Sequence, residues 1–448
     1  MRWDYCGMAA VKSQPTRIVI VGGGYVGMYT ALGLQKKLRS GEASVTVIDP
    51  QPHMTYQPFL PEAAAGSIEP RHVVAPLRKV LKRCHVVTGR ATRIEHEKKS
   101  VTVELVDGHV EKFEYDVLVS ALGAVSRTLP IPGLPDVGIG LKTIGEAIYV
   151  RNHVLSRLDQ AASTNDAERR KRLLTFTVIG GGFAGIETLA ELEDMTRYAL
   201  RYYEGLKPSD VQWVLVEATN RIMPEVSASL GVYTVHQLEK RGIKCYLDTR
   251  VKSMEGGHVV LDDGTEFDSD TVVWTAGMKA NPMLRDTDLP LDERGRVRCT
   301  AAMQVVGLPG VWAAGDCSAV PDLSRTEEDP NATCVPNAQH AIRQSKLLTK
   351  NILASLRGGQ PKDYFHKYVG SVAGLGLYKG VADIFGMRFR GFPAWFMHRT
   401  YHVMFMPTFN RKFRVLADWT QAFISGREVV ALGQLHEPKA EFDRAARS

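Results

Sequence analysis

The sequence predicts an α/β protein built on two parallel strand–turn–helix units, and three observations carry that expectation. An unbroken apolar run at residues 18–21 enters Gly22, Gly24 and Gly27 in the spacing G-x-G-x-x-G. The pattern returns at TFTVIGGGFAG, with Gly180, Gly182 and Gly185. In both places a second apolar strand follows and ends in an acid, Asp49 and then Glu217. Together they describe two Rossmann-like dinucleotide-binding domains.

Each glycine of the first turn has its own physical reason. Gly22 permits the tight strand-to-helix turn, Gly24 lets a pyrophosphate approach the backbone, and Gly27 lets the helix pack on the strand; Gly23 lies within the same turn. The helix N-terminus then offers unpaired N–H groups and partial positive charge to the phosphates. Asp49 stands 22 residues past Gly27, close to the roughly 20 expected for an acid on a ribose hydroxyl. The first unit is therefore expected to hold an adenine dinucleotide.

A chain of 448 residues suits two to four domains, and its 44% hydrophobic and 23% charged content is that of a globular protein. The net charge of +7 points to an acidic partner or surface. No basic cluster interleaved with base-stacking aromatics accompanies the dinucleotide fold, so no nucleic acid is expected. Cys6, Cys84, Cys245, Cys299, Cys317 and Cys334 are scattered, without C-x-x-C or zinc spacing. That fits reduced thiols in a cytosolic compartment and no bound metal. The N-terminus lacks a signal-peptide core. No run approaches the ~20 apolar residues of a membrane span, so any membrane attachment is expected to be peripheral.

After Asp49, four prolines with Tyr56 and Phe59 describe an ordered loop. Residues 71–81 read as a helix, and 86–115 as a β-meander turning at Asp107-Gly108. The buried strand that follows ends in Ala121-Leu122-Gly123, small residues that let a flat ligand approach. A Pro/Gly linker leads to a helix from 144 to about 160 and a solvated stretch at 161–172. In the second unit Glu217 lies 32 residues past Gly185; extension of the helix through residue 203 accounts for the excess. Thr275-Ala276-Gly277 parallels the ending at Gly123. Gly315-Asp316 suits an acid on a ribityl chain beside backbone N–H groups on a phosphate. A helix runs over 337–356. Two fingerprints imply two dinucleotides, one a tightly held flavin and the other an exchangeable nicotinamide.

These residues resemble the type II NADH dehydrogenases, single-chain flavoprotein NADH:quinone oxidoreductases. The resemblance spans about residues 17–427. It rests on RIVIVGGGYVG, MTYQPFLPEAAAGSIEP, YDVLVSALGA, LKTIGEAIYVRNHV, TVIGGGFAGIETLAEL, VEATNRIMPEV, VVWTAGMKANP, GVWAAGDC, NAQHA and AWFMHRTYHV. It implies a first part of an FAD domain at 15–143, an inserted NADH domain at 144–296, the rest of the FAD domain with a quinone-site helix at 297–378, and a membrane-associating region at 379–448. Gly22, Gly23, Gly24, Gly27, Asp49, Gly123, Gly315 and Asp316 would then bind FAD, and Gly180, Gly182, Gly185, Glu217 and Gly277 would bind NADH. Residues 56–61 and 121–123 would wall the flavin. Glu187 matches a family acid near nicotinamide and flavin, and Gln339 a family glutamine at the flavin edge in the quinone site. The family reads A-Q-x-A-x-Q there; this chain carries Arg343 at the last position and Gln344 beside it, where a step of about 100° points it elsewhere. The resemblance further implies a homodimer on the cytoplasmic face of the plasma membrane, with hydride passing from NADH to the flavin and two electrons to a quinone. Glu217 is expected to favour NADH over NADPH.

Three other readings share the fingerprints: a cysteine-using flavoprotein, a reductase of a ferredoxin-like protein, and a redox-switched binding protein of the apoptosis-inducing-factor type. The loop at 54–66 has no cysteine, and Cys334 reads as a buried thiol. Between Lys379 and Arg427 eight basic residues face only Asp383 and Asp418, a net +6. Helices over 394–406, with a polar stripe of His398, Arg399 and His402, and over 412–424 are expected to lie on an anionic membrane. A dimer interface or ordinary core is the alternative.

Overall fold

The computed structural model describes residues 14–367, 369–432 and 437–447; Cys6 lies outside them. The chain divides into two compact units. The first takes residues through 54 together with 76–124 and 280–367. Its seven-stranded sheet runs in the order Val311–Ala313, Val117–Ser120, Thr16–Val21, Ala43–Asp49, His85–Glu95, Ser100–Leu105, Val110–Glu114. The first five strands pair in parallel and the last three form the expected antiparallel meander. Ile18, Val19, Ile20 and Val21 are all buried, as strands covered on both faces must be. Helices Tyr25–Lys37 and Ala338–Leu356 pack on each other, and Thr349 Oγ1 donates to Thr30 O at 3.4 Å between them.

The second unit takes 55–75, 125–279 and the chain beyond 368. Its five-stranded sheet is parallel throughout: Gly138–Ile139, Thr271–Trp274, Thr175–Ile179, Gln212–Val216, Lys244–Tyr246. Strands Val251–Ser253, His258–Leu261 and Glu266–Asp268 form a separate antiparallel sheet. Thr143 and Glu146 close a reciprocal capping box on helix Ile144–Ser163. The short helix Leu60–Ala64 packs against that helix and against Phe183–Ala199. Phe176, Leu189, Leu192, Trp213 and Leu215 lie in one core with Ala373 and Val381 from the C-terminal part. Among the described residues no helix is long and apolar enough to cross a membrane.

The local structure departs from the sequence reading in three places. Residues 71–81 are not one helix but a 3₁₀ turn Pro70–His72, a strand Val74–Pro76 and a helical turn Leu77–Val80. Pro76 lacks an N–H and biases Ala75 away from helix. The stretch at 161–172 is not simply solvated coil: Asp166 accepts from Glu168 N and Arg169 N at 3.0 and 3.1 Å and caps helix Ala167–Leu173. Ahead of the C-terminal helices stand three antiparallel strands, Gly370–Gly374, Gly380–Ile384 and Met387–Arg390. Five glycines between residues 370 and 390 dilute the alternation that would have marked them. The helices themselves are Phe392–Phe405 and Phe409–Ser425.

Candidate functional site

In the first turn Gly22 has φ +107°, and a Cβ there would stand 2.2 Å from Ala121 O. A Cβ on Gly27 would stand 1.7 Å from Gly22 O. Only hydrogen fits at either place, so strand, turn and helix close on one another. Above Gly24 there is nothing within 4 Å, the clearance a phosphate needs. Helix Tyr25–Lys37 has no side-chain cap and no acid in its first turn, so its N–H groups remain donors for an anion. Asp49 ends its strand with one carboxylate oxygen accepting from Gly23 N at 2.6 Å and the other from Gln51 N at 2.7 Å. Burial raises its pKa, against the pull of these two donors.

The second turn repeats this geometry. Gly180 has φ +110°, a Cβ on Gly185 would stand 1.9 Å from Gly180 O, and the space over Gly182 is open. Helix Phe183–Ala199 also lacks a side-chain cap. Glu217 accepts from Gly181 N at 2.6 Å and from Thr219 N at 2.8 Å. Arg221 is turned onto the carbonyls of Pro224 and Val226, away from a role beside Glu217. Thr275 abuts Gly180 and Gly185, and Gly277 follows at φ +89°. Both turns therefore fit a dinucleotide.

Gly315 joins the first-unit candidates. Its φ is +75°, and a Cβ there would meet Val26 at 2.8 Å and Ala341 at 3.8 Å. It thus sits between the starts of the two helices that carry the turn and Gln339, with half-buried Asp316 next to it. Gly123 lies beyond strand Val117–Ser120 at φ +65° with open space over it. Gln344, which the sequence shows only as turned away from Gln339, has a role that sequence reasoning missed. It is buried, and its Oε1 accepts from Gly315 N at 2.7 Å, so it holds the loop rather than facing a ligand. The available signal was a polar residue beside the buried stripe Ala341, Ser345, Leu348, where it needs a partner.

Asn337 caps helix Ala338–Leu356 through His340 N at 2.7 Å. Gln339 and Arg343 stack as their spacing requires: Arg343 Nη1 donates to Gln339 O at 3.2 Å and to its Oε1 at 3.4 Å. His340 Nδ1 meets Tyr364 OH at 2.9 Å, and burial pushes the neighbouring Cys334 thiol up to about 12. Cys334 is a buried thiol.

In the second unit Glu187 is buried near the start of its helix. Its Oε1 accepts from Gly374 N at 3.0 Å and lies 2.9 Å from His398 Nε2. His398 and Arg399 are buried, so the polar stripe on helix Phe392–Phe405 does not face water or lipid. Arg399 lies between the rings of Trp395 and Trp419, 4.4 Å from each centroid, and 3.3 Å from Glu62 Oε2. Trp419 Nε1 donates to the same oxygen at 2.6 Å. Further along, Arg427 pairs with Glu191 at 3.0 Å, and His72 with Asp418 at 2.6 Å. The C-terminal helices are pinned into this unit by buried charge, which periodicity alone does not disclose.

Residues 16–345 match the family described as pyridine nucleotide-disulphide oxidoreductase. The type II NADH:quinone oxidoreductase of Mycobacterium tuberculosis is 31% identical, over 92% of this chain and 89% of its own length. The mitochondrial internal alternative NAD(P)H-ubiquinone oxidoreductase A1 of Arabidopsis thaliana is 27% identical over 95% and 88%. A solved structure of NDH2 from Plasmodium falciparum in complex with NADH superposes with a TM-score of 0.86 at 18% identity, covering 93% of this chain and 99% of that one; it speaks for the fold. The chain belongs to the pyridine nucleotide-disulphide oxidoreductases and, among them, to the type II NADH:quinone oxidoreductase family.

Proposed function

We propose that this chain oxidises NADH on a bound FAD and delivers the electrons to a quinone. The observation that carries the reading is the duplicated turn, with Asp49 on Gly23 N and Glu217 on Gly181 N, which gives two dinucleotides the same cradle. FAD accepts hydride from NADH and returns the electron pair to an acceptor. The protein's part is to bind and orient. Gly22, Gly24 and Gly27 admit the pyrophosphate of FAD, Gly180, Gly182 and Gly185 that of NADH, and Asp49 and Glu217 take the ribose hydroxyls. Glu217 presents its carboxyl group at the ribose position and Arg221 is occupied elsewhere, which disfavours the 2′-phosphate of NADPH. Gln339, braced by Arg343, is the group offered to the quinone. The arginine donates to the amide oxygen and fixes the side chain on this face of the helix.

The test uses Gln339→Ala, assayed with a soluble quinone and with ferricyanide. Quinone turnover is expected to drop about tenfold while ferricyanide turnover stays within twofold. Equal losses with both, or no quinone activity in the parent protein, would reject the reading.

The same reading places the protein on a membrane surface as a peripheral homodimer, on the cytoplasmic face. Phe409, Phe413, Leu416, Phe423 and Ile424 are exposed on helix Phe409–Ser425 beside Arg411, Lys412 and Arg414, the combination that enters an anionic lipid interface. Truncating the C-terminal region would remove Arg399 and Arg427 from their buried pairs, so point changes are the cleaner probe. Phe409→Asp with Phe413→Asp is expected to weaken binding to phosphatidylglycerol vesicles at least tenfold with the circular dichroism unchanged. Undiminished vesicle binding would sink this placement.

A further inference from the structure

Helix Ala338–Leu356 contains no aspartate or glutamate and three unvarying or readily held cations, Arg343, Lys346 and Lys350. Counting from Gln339, these positions follow at intervals of four, three and four residues. At about 100° per residue all four fall within about 60° of one helix face. Lys346 and Lys350 are exposed and Arg343 is half-buried. Among the described residues none of the three cations forms an ion pair. Arg343 donates to Gln339, at its backbone O and its Oε1. The start of the helix has no acid in its first turn and adds partial positive charge of its own.

The groups that feel the charge of Arg343 supply no counter-charge. They are His340, Tyr364 and His366. Tyr364 OH lies 2.9 Å from His340 Nδ1, and the rings of His340 and His366 stand 5.6 Å apart. Burial lowers the pKa of both imidazoles; the charge on Arg343 acts in the same direction and Asp322 against it. Asp322 is itself buried, and its Oδ1 accepts from Ser324 N and Oγ at 3.1 and 2.7 Å. A cation drawn part of the way out of water without a partner costs free energy, and that cost is offset when an anion arrives. All of these groups belong to the first unit, which also carries the cradle closed by Asp49.

We propose that the acceptor is a quinone whose ring carries an anionic substituent, with Arg343 as the residue that selects it and Lys346 and Lys350 as the charges that steer it along the helix. The inference rests on the NADH:quinone reading above and narrows its substrate class. A carboxylate, sulfonate or ionised hydroxyl group on the ring accepts charge-assisted hydrogen bonds from the guanidinium. A neutral ring offers Arg343 no such compensation and covers a cation that water would otherwise solvate. Lys350 lies about 10 Å along the helix axis from Arg343, and that distance is about one Debye length at moderate salt. The lysines therefore act on the approach of the anion rather than by contact.

The experiment compares a naphthoquinone sulfonate with menadione, a neutral naphthoquinone, as acceptors for the whole flavoprotein. The sulfonate is ionised at every working pH. The ratio of the two kcat/KM values is followed from variant to variant, so the difference in potential between the two probes cancels. Arg343→Gln is expected to lower the sulfonate-to-menadione ratio at least about tenfold. Arg343→Lys keeps the charge and should retain most of the parent ratio. Lys346→Gln with Lys350→Gln should lower the ratio about threefold at low salt and return it to the parent value at high salt, where the field is screened. A role confined to packing of the helix would move both quinones together and leave every ratio where it was. An unchanged ratio in Arg343→Gln, or an equal fall in Arg343→Lys, overturns this inference alone. A parent whose flavin is reduced by NADH but which reduces neither quinone overturns the functional reading and this inference with it.

Discussion

A Gly27→Ala chain is expected to purify without flavin. The added methyl carbon would stand 1.7 Å from the carbonyl oxygen of Gly22 and 3.2 Å from Ile20 Cγ2. Gly22 has no room to retreat, because it is itself pressed against Ala121. The helix must therefore lift from the strand, at a cost of about 3 kcal/mol or more, and the N–H groups at its start lose their aim. Gly24→Ala is the contrast. No atom lies within 4 Å of its new methyl, so the fold should survive while the approach of a pyrophosphate is blocked. Flavin absorbance per chain and circular dichroism separate the two outcomes. Loss of flavin is expected in both variants, and loss of helix packing only in Gly27→Ala. A Gly27→Ala protein with full flavin content would refute the packing argument.

The second large effect concerns Arg399. Removing its side chain by Arg399→Ala leaves Glu62 buried against Trp419 Nε1 without its cation. It also empties the space between the rings of Trp395 and Trp419. Breaking a buried pair from one side costs about 3–5 kcal/mol, and the lost stacking adds to it. The urea midpoint should fall accordingly. Arg399→Met with Glu62→Gln keeps the volume and an acceptor for the indole N–H and removes the stranded charge, so it should recover more than half of the loss. A single variant within 1 kcal/mol of the parent would show that the pair is not structural.

Both cradles were readable in the sequence because everything they need is local: a buried strand, glycines at fixed spacing, a helix start, and an acid at the next strand end. Gln339 and Arg343 were readable for the same reason, since four residues of helix bring them together. Glu187 and His398 were not, because the pair joins residues 211 positions apart and neither position carries a local mark of the other. The stripe His398, Arg399, His402 shows the limit of periodicity. A 3.6-residue repeat states that three side chains share a face. Whether that face meets water, lipid or carboxylates depends on Glu62 and Glu187, supplied by distant segments. Gln344 was hidden in a similar way, its partner being a backbone N–H on a loop 29 residues earlier.

The bond from Trp419 to Glu62 spans 357 residues of chain. At a synthesis rate of about 5–20 residues per second, helix Leu60–Ala64 leaves the ribosome roughly 20–70 s before its partners exist. During that interval the carboxylates of Glu62 and Glu191 lack Arg399 and Arg427, and the core of the second unit stands open where the last helices will close it. This unit is thus completed only after its last helices are made, and joining them to helix Leu60–Ala64 carries the entropic cost of closing a very long loop. The nascent chain spends most of its synthesis with a charged, half-built interior, which is where chaperone binding or aggregation would act.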